Sequence, residues 1–451
     1  VTIRIGVTGL ARAGKTAFLT SVAANLLALG AGLPVLPALQ ARIGARSFRS
    51  FVANAGAESL PRFALQSNLA SLSKDPPAWP ERTGSVSVLA IDMEVGRAGM
   101  GGLLPARHLR VEFLDYPGEW LLDLPLLSQD YATWSDATLR RLEGVTAAAT
   151  FLSFVNALPK RAPNDESVAA TGHRLYREML HRLRDEAGWR FLQPGRFLMP
   201  APGPEPPWTE FFPARTSGGL EGLLVSRYEA YRQDLQRQLV SPLFGQVDRL
   251  VVLADLLSAL HDGPTAYRDT EAGLRAASAA LRWQSAWTDW LPMQWIPPAL
   301  LAWAPSWLTG GISRVAFAAT KADHVAQRQR GNLLALMQAL TQSGHGAGHG
   351  AAPENRRSVH VIASVRCTED FVWTLDGRNI SAVRGRVIGE PRMTRSYPGE
   401  VPDSPPDDAF WAHPFLELPQ FEPLRLPGEG RAGVPQIGLD GLLDFLLEDV
   451  L

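Results

Sequence analysis

Four lysines stand against forty arginines in a chain of 451 residues, and two of them occupy places where a guanidinium is a poor substitute. Lys15 closes Gly9-Leu10-Ala11-Arg12-Ala13-Gly14-Lys15-Thr16, the G-x-x-x-x-G-K-[ST] pattern of a phosphate-cradling loop. Lys321 lies in Thr320-Lys321-Ala322-Asp323. A compact ammonium reaches between two phosphates inside a ring of backbone amides, where a planar guanidinium is too large. The phosphate-contact candidates are therefore Gly9, Ala11, Arg12, Ala13, Gly14, Lys15, Thr16 and Ala17, at the positive end of the helix that follows. Lys15 would bridge the β- and γ-phosphates and the Thr16 hydroxyl would ligate Mg2+. Arg12 could add charge to a phosphate or to a transition state; a solvated loop arginine is the competing reading.

Asp115-Tyr116-Pro117-Gly118 has the form D-x-x-G at the end of an apolar run. There the carboxylate can hold Mg2+ through water, and the Gly118 amide can meet the γ-phosphate. Glu119 could orient or deprotonate an attacking water, although its charge would repel the phosphates. Thr83, ahead of the preceding run, sits where a switch threonine would bind Mg2+ and sense the γ-phosphate. The Asp323 carboxylate can accept from N1–H and the exocyclic amine of guanine; adenine offers neither there. The Lys321 stem would lie along the base, and Ser364-Val365-Arg366 would bring a main-chain amide to the base oxygen. Cys367, next to that loop, reads as a buried structural thiol.

Six runs must carry these residues as strands: Ile3 to Thr8, Ser85 to Val95, His108 to Leu114, Val247 to Leu257, Val315 to Thr320 and Val359 to Ser364. Thr16 to Leu29 reads as a helix closed by Gly30. The motifs at Gly9, Asp115, Lys321 and Ser364 all fall at strand C-termini, where ligands gather in a doubly wound parallel sheet. The net charge of −1 gives no support to a nucleic-acid partner. The single cysteine excludes an internal disulfide and fits a reducing cytoplasm. The opening residues run straight into a strand, leaving no room for a cleaved signal peptide. Leu291 to Ile312 is uncharged but carries four prolines, which argues against a spanning helix. The surrounding Trp-rich segment could touch a membrane interface, and packing against the core is the preferred reading. Gly344 to Gly350 reads as a linker rather than a two-histidine metal site. Ile437 to Leu451 has leucines at helical spacing and an acidic face, suited to docking on the chain's own core or on a partner.

With these motifs assembled, the chain resembles the YcjX-like family of bacterial stress-associated P-loop proteins. The carrying segments are residues 9–18, Phe-Leu-Asp-Tyr-Pro-Gly-Glu-Trp (113–120), His-Asp-Gly-Pro (261–264), Ala-Thr-Lys-Ala-Asp-His (319–324) and Tyr-Pro-Gly-Glu-Val-Pro (397–402). The resemblance implies an α/β Ras-like P-loop core with large helical insertions, binding of GTP/GDP with Mg2+, slow hydrolysis and a loose association with envelope stress. The expected organisation is a nucleotide-binding core at 1–128 and 247–370, interrupted at 33–82 (a switch-region insertion) and 267–311 (the Trp-rich helices). A helical insertion domain occupies 129–246 and a C-terminal extension 371–451. A protein partner is expected, its identity open. Two rivals remain: an ATPase of the same fold, kept alive by Thr320 in place of the usual asparagine, and a nucleotide-stabilised scaffold with negligible turnover.

Overall fold

Short runs that alternate or concentrate apolar residues supply the strands. The computed structural model describes residues 1–451 except 11, 54–60, 82–85, 98–104, 200–205, 238–246, 289–311, 343–356, 376 and 414–417. Strands β1 (Thr2–Gly9), β2 (Phe48–Val52), β3 (Ser87–Val95) and β4 (Arg107–Asp115) precede the two-residue β5 (Arg161–Ala162) and β6 (Ser217–Gly218). Then come β7 (Arg249–Ala254), β8 (Arg314–Ala319) and β9 (Arg357–Val361). One seven-stranded sheet has the order β2-β3-β4-β1-β7-β8-β9. Its strands β4, β1, β7, β8 and β9 are parallel, while β3 and β2 alternate in direction at one edge. Val7 lies opposite Asp115, Gly9 opposite Leu253, and Ala319 opposite both Ala254 and Val361. The C-terminal ends of five strands therefore line one edge of the sheet. This is an α/β fold with a mostly parallel central sheet, compatible with a P-loop protein.

Period-two alternation sends side chains to opposite faces. Ile5, Val7, Phe113 and Leu253 meet Phe18, Leu19 and Val22 of helix α1 (Lys15–Gly30) on one face. Helices α2 (Pro37–Ile43) and α3 (Leu65–Ser73) join that layer. Between β4 and β7 stand α4 (Tyr131–Leu142), α5 (Ala149–Ala157), α6 (Glu166–Asp185) and α7 (Gly219–Leu235). They enclose a core of their own, with Trp134 stacked on Tyr228 at 5.3 Å. Asp130 and Asp165 cap α4 and α6, each accepting a first-turn amide. The other sheet face, with Leu250, Val252 and Phe317, is covered by α8 (Leu256–His261), α9 (Pro264–Thr288) and α10 (Arg330–Gln342).

The C-terminal region forms a separate antiparallel sheet of β10 (Thr368–Leu375), β11 (Arg378–Arg386) and β12 (Met393–Ser396), then α11 (Asp408–Ala412) and α12 (Leu439–Leu447). Leu439, Leu442, Leu443, Leu446 and Leu447 of α12 are fully buried on the α1 face of the central sheet. The acidic residues meet arginines: Arg42 grips Asp444 at 2.6 and 2.8 Å, and Arg249 reaches Asp449 at 2.9 Å. The last helix thus docks on the chain's own core.

Three sequence expectations need correction. The strand expected over 247–257 stops at Ala254, because the Asp255 side chain accepts from the Ser258 amide and starts α8. Strand β2 falls in the 33–82 segment, where none of the six expected strands lies; it is a short edge strand whose Phe51 and Val52 are exposed, so it lacks a buried alternating face. The β10–β12 sheet was missed for a related reason, since exposed residues interrupt both of its faces. Among the described residues no helix is long and apolar enough to cross a membrane. Most of the Trp-rich run, and all of 344–350, lie outside the described residues. Leu443→Ala should cost about 2–5 kcal/mol, seen as a lower unfolding midpoint in urea with an unchanged slope; an unchanged midpoint would show that α12 is not part of the cooperative fold.

Candidate functional site

The turn between β1 and α1 is held by three backbone bonds: Leu10 N to Leu253 O (3.0 Å), Ala13 N to Leu10 O (3.1 Å) and Phe18 N to Gly14 O (2.9 Å). Gly14 (φ 79°) and Arg12 (φ 65°) are left-handed. Only two other described non-glycine residues share that region, Lys321 (φ 61°) and Glu429 (φ 55°). Backbone strain of this kind concentrates at functional sites, and here two of three cases fall in the two lysine motifs. No side chain caps α1 at Gly14, and a Cβ built there meets nothing within 4 Å. A helix start left without a side-chain cap is the feature that an anion cradle requires. Lys15, Thr16 and Ala17 are half-buried, Ala13 is buried and Arg12 is exposed. Ala11 lies outside the described residues.

Asp115 ends β4 and is buried. Alternation with Phe113 places it on the α1 face, beside the strand that feeds the loop. Gly118 then packs directly on the loop: a Cβ at this position would come within 1.5 Å of the Gly9 carbonyl oxygen. Only glycine allows that approach. The chain continues as a 3-10 segment, Gly118–Ser128, through Glu119, of whose side chain nothing is described. Leu122 and Leu10 both pack near Gly273 of α9. Asp123, fully buried, accepts from Tyr231 Oη (2.5 Å), Gly195 N (2.6 Å) and Arg196 N (3.2 Å) of the helical insertion. Burial pushes its carboxyl up to about 6 despite these bonds. At the far end of α6, Asp185 is held below its usual range by Arg184 chiefly, with a smaller contribution from Arg12.

At the ends of β7 and β8 the second lysine finds a partner that the sequence reading missed. Lys321 Nζ lies 2.5 Å from Asp255 Oδ2 and 3.3 Å from Ser258 Oγ. Burial of Asp255 would raise its pKa, but the Lys321 ammonium and the Ser258 contacts together outweigh it and hold the carboxyl below the usual range. An aspartate ending the apolar run Leu250 to Ala254 was the available signal. Thr320 gives its hydroxyl to Ala254 O at 3.3 Å. Asp323 is buried, and its Oδ2 accepts from Cys367 N (2.8 Å) and Cys367 Sγ (2.9 Å).

Ser364 is half-buried, and Val365 joins the α1-side core. Arg366 is committed elsewhere: its amide goes to Pro435 O at 2.7 Å, its guanidinium to Thr368 O and Asp370. The structure therefore brings Gly9, Arg12 to Ala17, Asp115, Gly118, Thr320, Lys321, Asp323 and Ser364 to one sheet edge and turns Arg366 aside. Thr83 lies outside the described residues. Oxygen donors at Thr16 and Asp115 suit Mg2+. Asp323, His324 and Cys367 form a second, buried donor set with ligand atoms within 4.8 Å of one another, of the mixed kind that suits a softer cation.

The arrangement defines an α/β protein with a phosphate-loop geometry at the C-terminal edge of its sheet. The chain belongs to the YcjX-like family, DUF463, whose model matches residues 3–451. It is 32% identical to a protein of Escherichia coli (strain K12) named "Ras-like GTPase YcjX", over 100% of this chain and 96% of that one. It is 30% identical to the protein of the same name from Shewanella oneidensis, over 100% and 94%.

Removing one member of a buried ion pair leaves the other uncompensated. The Lys321 side chain is 33% exposed and that of Asp255 fully buried, so water screens part of the pair and Lys321→Met should destabilise the fold by about 1–3 kcal/mol at pH 7. In the wild type the depressed Asp255 pKa contributes stability above the unfolded value of about 3.9, lost as pH falls through the lower folded value. In the variant Asp255 can protonate, so the deficit should shrink as pH is lowered toward 4. Urea unfolding of both proteins across pH 4–8 checks this; a deficit independent of pH would rule out the pairing as its origin.

Proposed function

We propose that the chain is a guanine-nucleotide switch with a Ras-like P-loop core and slow Mg2+-dependent GTP hydrolysis. The observation that carries the reading is the packing of Gly118 on Gly9, with Asp115 and the Lys321–Asp323 loop at the same sheet edge. Motifs more than three hundred residues apart in sequence converge where a nucleotide would span from phosphates to base. The names of the relatives from E. coli and S. oneidensis support the same reading; a bacterial stress role rests on family resemblance.

In this reading the loop amides and Lys15 would hold the phosphates, and Thr16 and Asp115 would hold Mg2+, which would supply charge neutralisation for phosphoryl transfer. Gly118 would sense the γ-phosphate, and Glu119 would be the residue to orient the attacking water. Asp123 then links the segment after Gly118 to Tyr231 and Arg196 of the insertion, so a shift of Gly118 is carried into the helices. Intrinsic turnover should be slow, on the order of 10⁻⁴ to 10⁻² s⁻¹. An ATPase of the same fold is the second reading, favoured by Thr320 spending its hydroxyl on Ala254 O rather than on the phosphate loop.

Binding of GDP, GTP, ADP and ATP, with Mg2+, to wild type and to Asp323→Asn tests the base. We expect a clear guanine preference in the wild type and a shift toward xanthine nucleotides in the variant; equal or tighter ATP binding would hand the site to the ATPase reading. Lys15→Ala should abolish binding of every nucleotide, and wild-type affinity in that variant would sink the phosphate-site assignment.

A further inference from the structure

Asp323 is held at both ends by two consecutive residues. Cys367 gives both its amide (2.8 Å) and its thiol (2.9 Å) to one carboxylate oxygen, and the Thr368 hydroxyl donates to the Asp323 main-chain carbonyl. Burial raises the Cys367 pKa, so the group is a neutral S–H donor rather than a reactive thiolate. Cys367 is itself fixed in a small cluster with Val383 and Phe421. The Phe421 ring meets His324 edge-on at 5.2 Å, and its carbonyl accepts from Trp79 Nε1 at 2.8 Å. The segment that follows β9 and the C-terminal region therefore act as a splint on the Asp323 side chain.

We propose that Cys367 is a positioning residue for purine specificity, setting the rotation of the Asp323 carboxylate through its thiol. The inference rests on the reading of Asp323 as the guanine contact. A carboxylate offers about four acceptor sites. Cys367 occupies two of them on Oδ2, and two remain, the number that N1–H and the exocyclic amine of guanine supply. With the thiol gone, one amide bond holds Oδ2 and the carboxylate gains freedom about its last torsion. The two base contacts then form only after that freedom is lost again, a cost borne by guanine and not by a base that Asp323 does not read. Serine keeps a hydroxyl donor of similar reach; alanine keeps none. The alternative use of these atoms, as soft-metal ligands with His324, is the weaker one, because the thiol proton is already given to the carboxylate and burial keeps it on the sulfur.

The test is competition binding of GDP, IDP (which lacks the exocyclic amine) and ADP to full-length wild type, Cys367→Ser and Cys367→Ala, with Mg2+. The ratio of two affinities in one preparation is independent of its folded fraction, so partial misfolding does not mask the answer. Cys367→Ala should lower the GDP-over-ADP and GDP-over-IDP ratios by about tenfold, and Cys367→Ser should restore most of both. Unchanged ratios in Cys367→Ala, whatever happens to its melting temperature or absolute affinity, would reduce Cys367 to a packing role and overturn the proposal. So would ratios in Cys367→Ser as low as those of the alanine variant. A wild type that binds ADP as tightly as GDP would instead remove the guanine reading itself, and the proposal with it.

Discussion

A single missing side chain sets the geometry of this protein. Because position 118 carries no Cβ, the chain leaving β4 lies flat against the Gly9 carbonyl, where any other residue would collide with it at 1.5 Å. That contact fixes where the next ten residues go. Leu121 and Leu122 fall into the same apolar cluster as Leu10, and α9 closes over them at Gly273. The phosphate loop is therefore sandwiched between the sheet, the segment after Gly118 and α9, and none of these can shift without the others being felt, since close-packed interiors transmit displacement rather than absorb it.

Buried aspartates supply the joints around this sandwich. Asp123 gathers two amides and a tyrosine from the helical insertion. Asp269 on α9 accepts from the amides of Arg190 and Phe191 and from Arg141. Asp255 pairs with Lys321, and Asp323 with Cys367. A buried carboxylate is costly unless its lone pairs are filled, so each joint has essentially one satisfactory arrangement. Arg190 ties two of these regions together, reaching Asp262 at 2.6 Å and the Asp255 carbonyl at 3.5 Å. This gives the His261-Asp262-Gly263-Pro264 segment a structural role: it anchors the insertion beside the residue that holds Lys321. Glu400 of the 397–402 segment has a similar task, accepting from Arg328 and Tyr397.

The β1–α1 loop, the Asp115-x-x-Gly118 turn and the Lys321–Asp323 loop could be placed at strand ends from the sequence, because each is a short stretch whose residue types are dictated by local backbone geometry and charge. The leucine spacing of α12 was legible for the same reason, one face per 3.6 residues. The partners of these stretches were not. Asp255 lies 66 positions before Lys321, Cys367 lies 44 after Asp323, and Arg42 lies some 400 before Asp444; nothing local marks such pairs. Arg366 read as part of a base-contact loop, yet Pro435 and Asp370 claim it. Strand β2 and the β10–β12 sheet escaped notice because edge and half-exposed strands lack the alternating burial that reveals a strand.

What the sequence determined by itself was the set of chemical groups and the short elements that carry them, since propensity, glycine freedom and hydrophobic period act over a few residues. The tertiary structure alone decided which carboxylate meets which donor and that α12 seals the chain's own core. It also decided that Gly118 is a packing necessity on Gly9. Those outcomes depend on how parallel strands far apart in the chain align at one edge, and that alignment is settled by burial of the whole sheet between its two helical layers rather than by any local run.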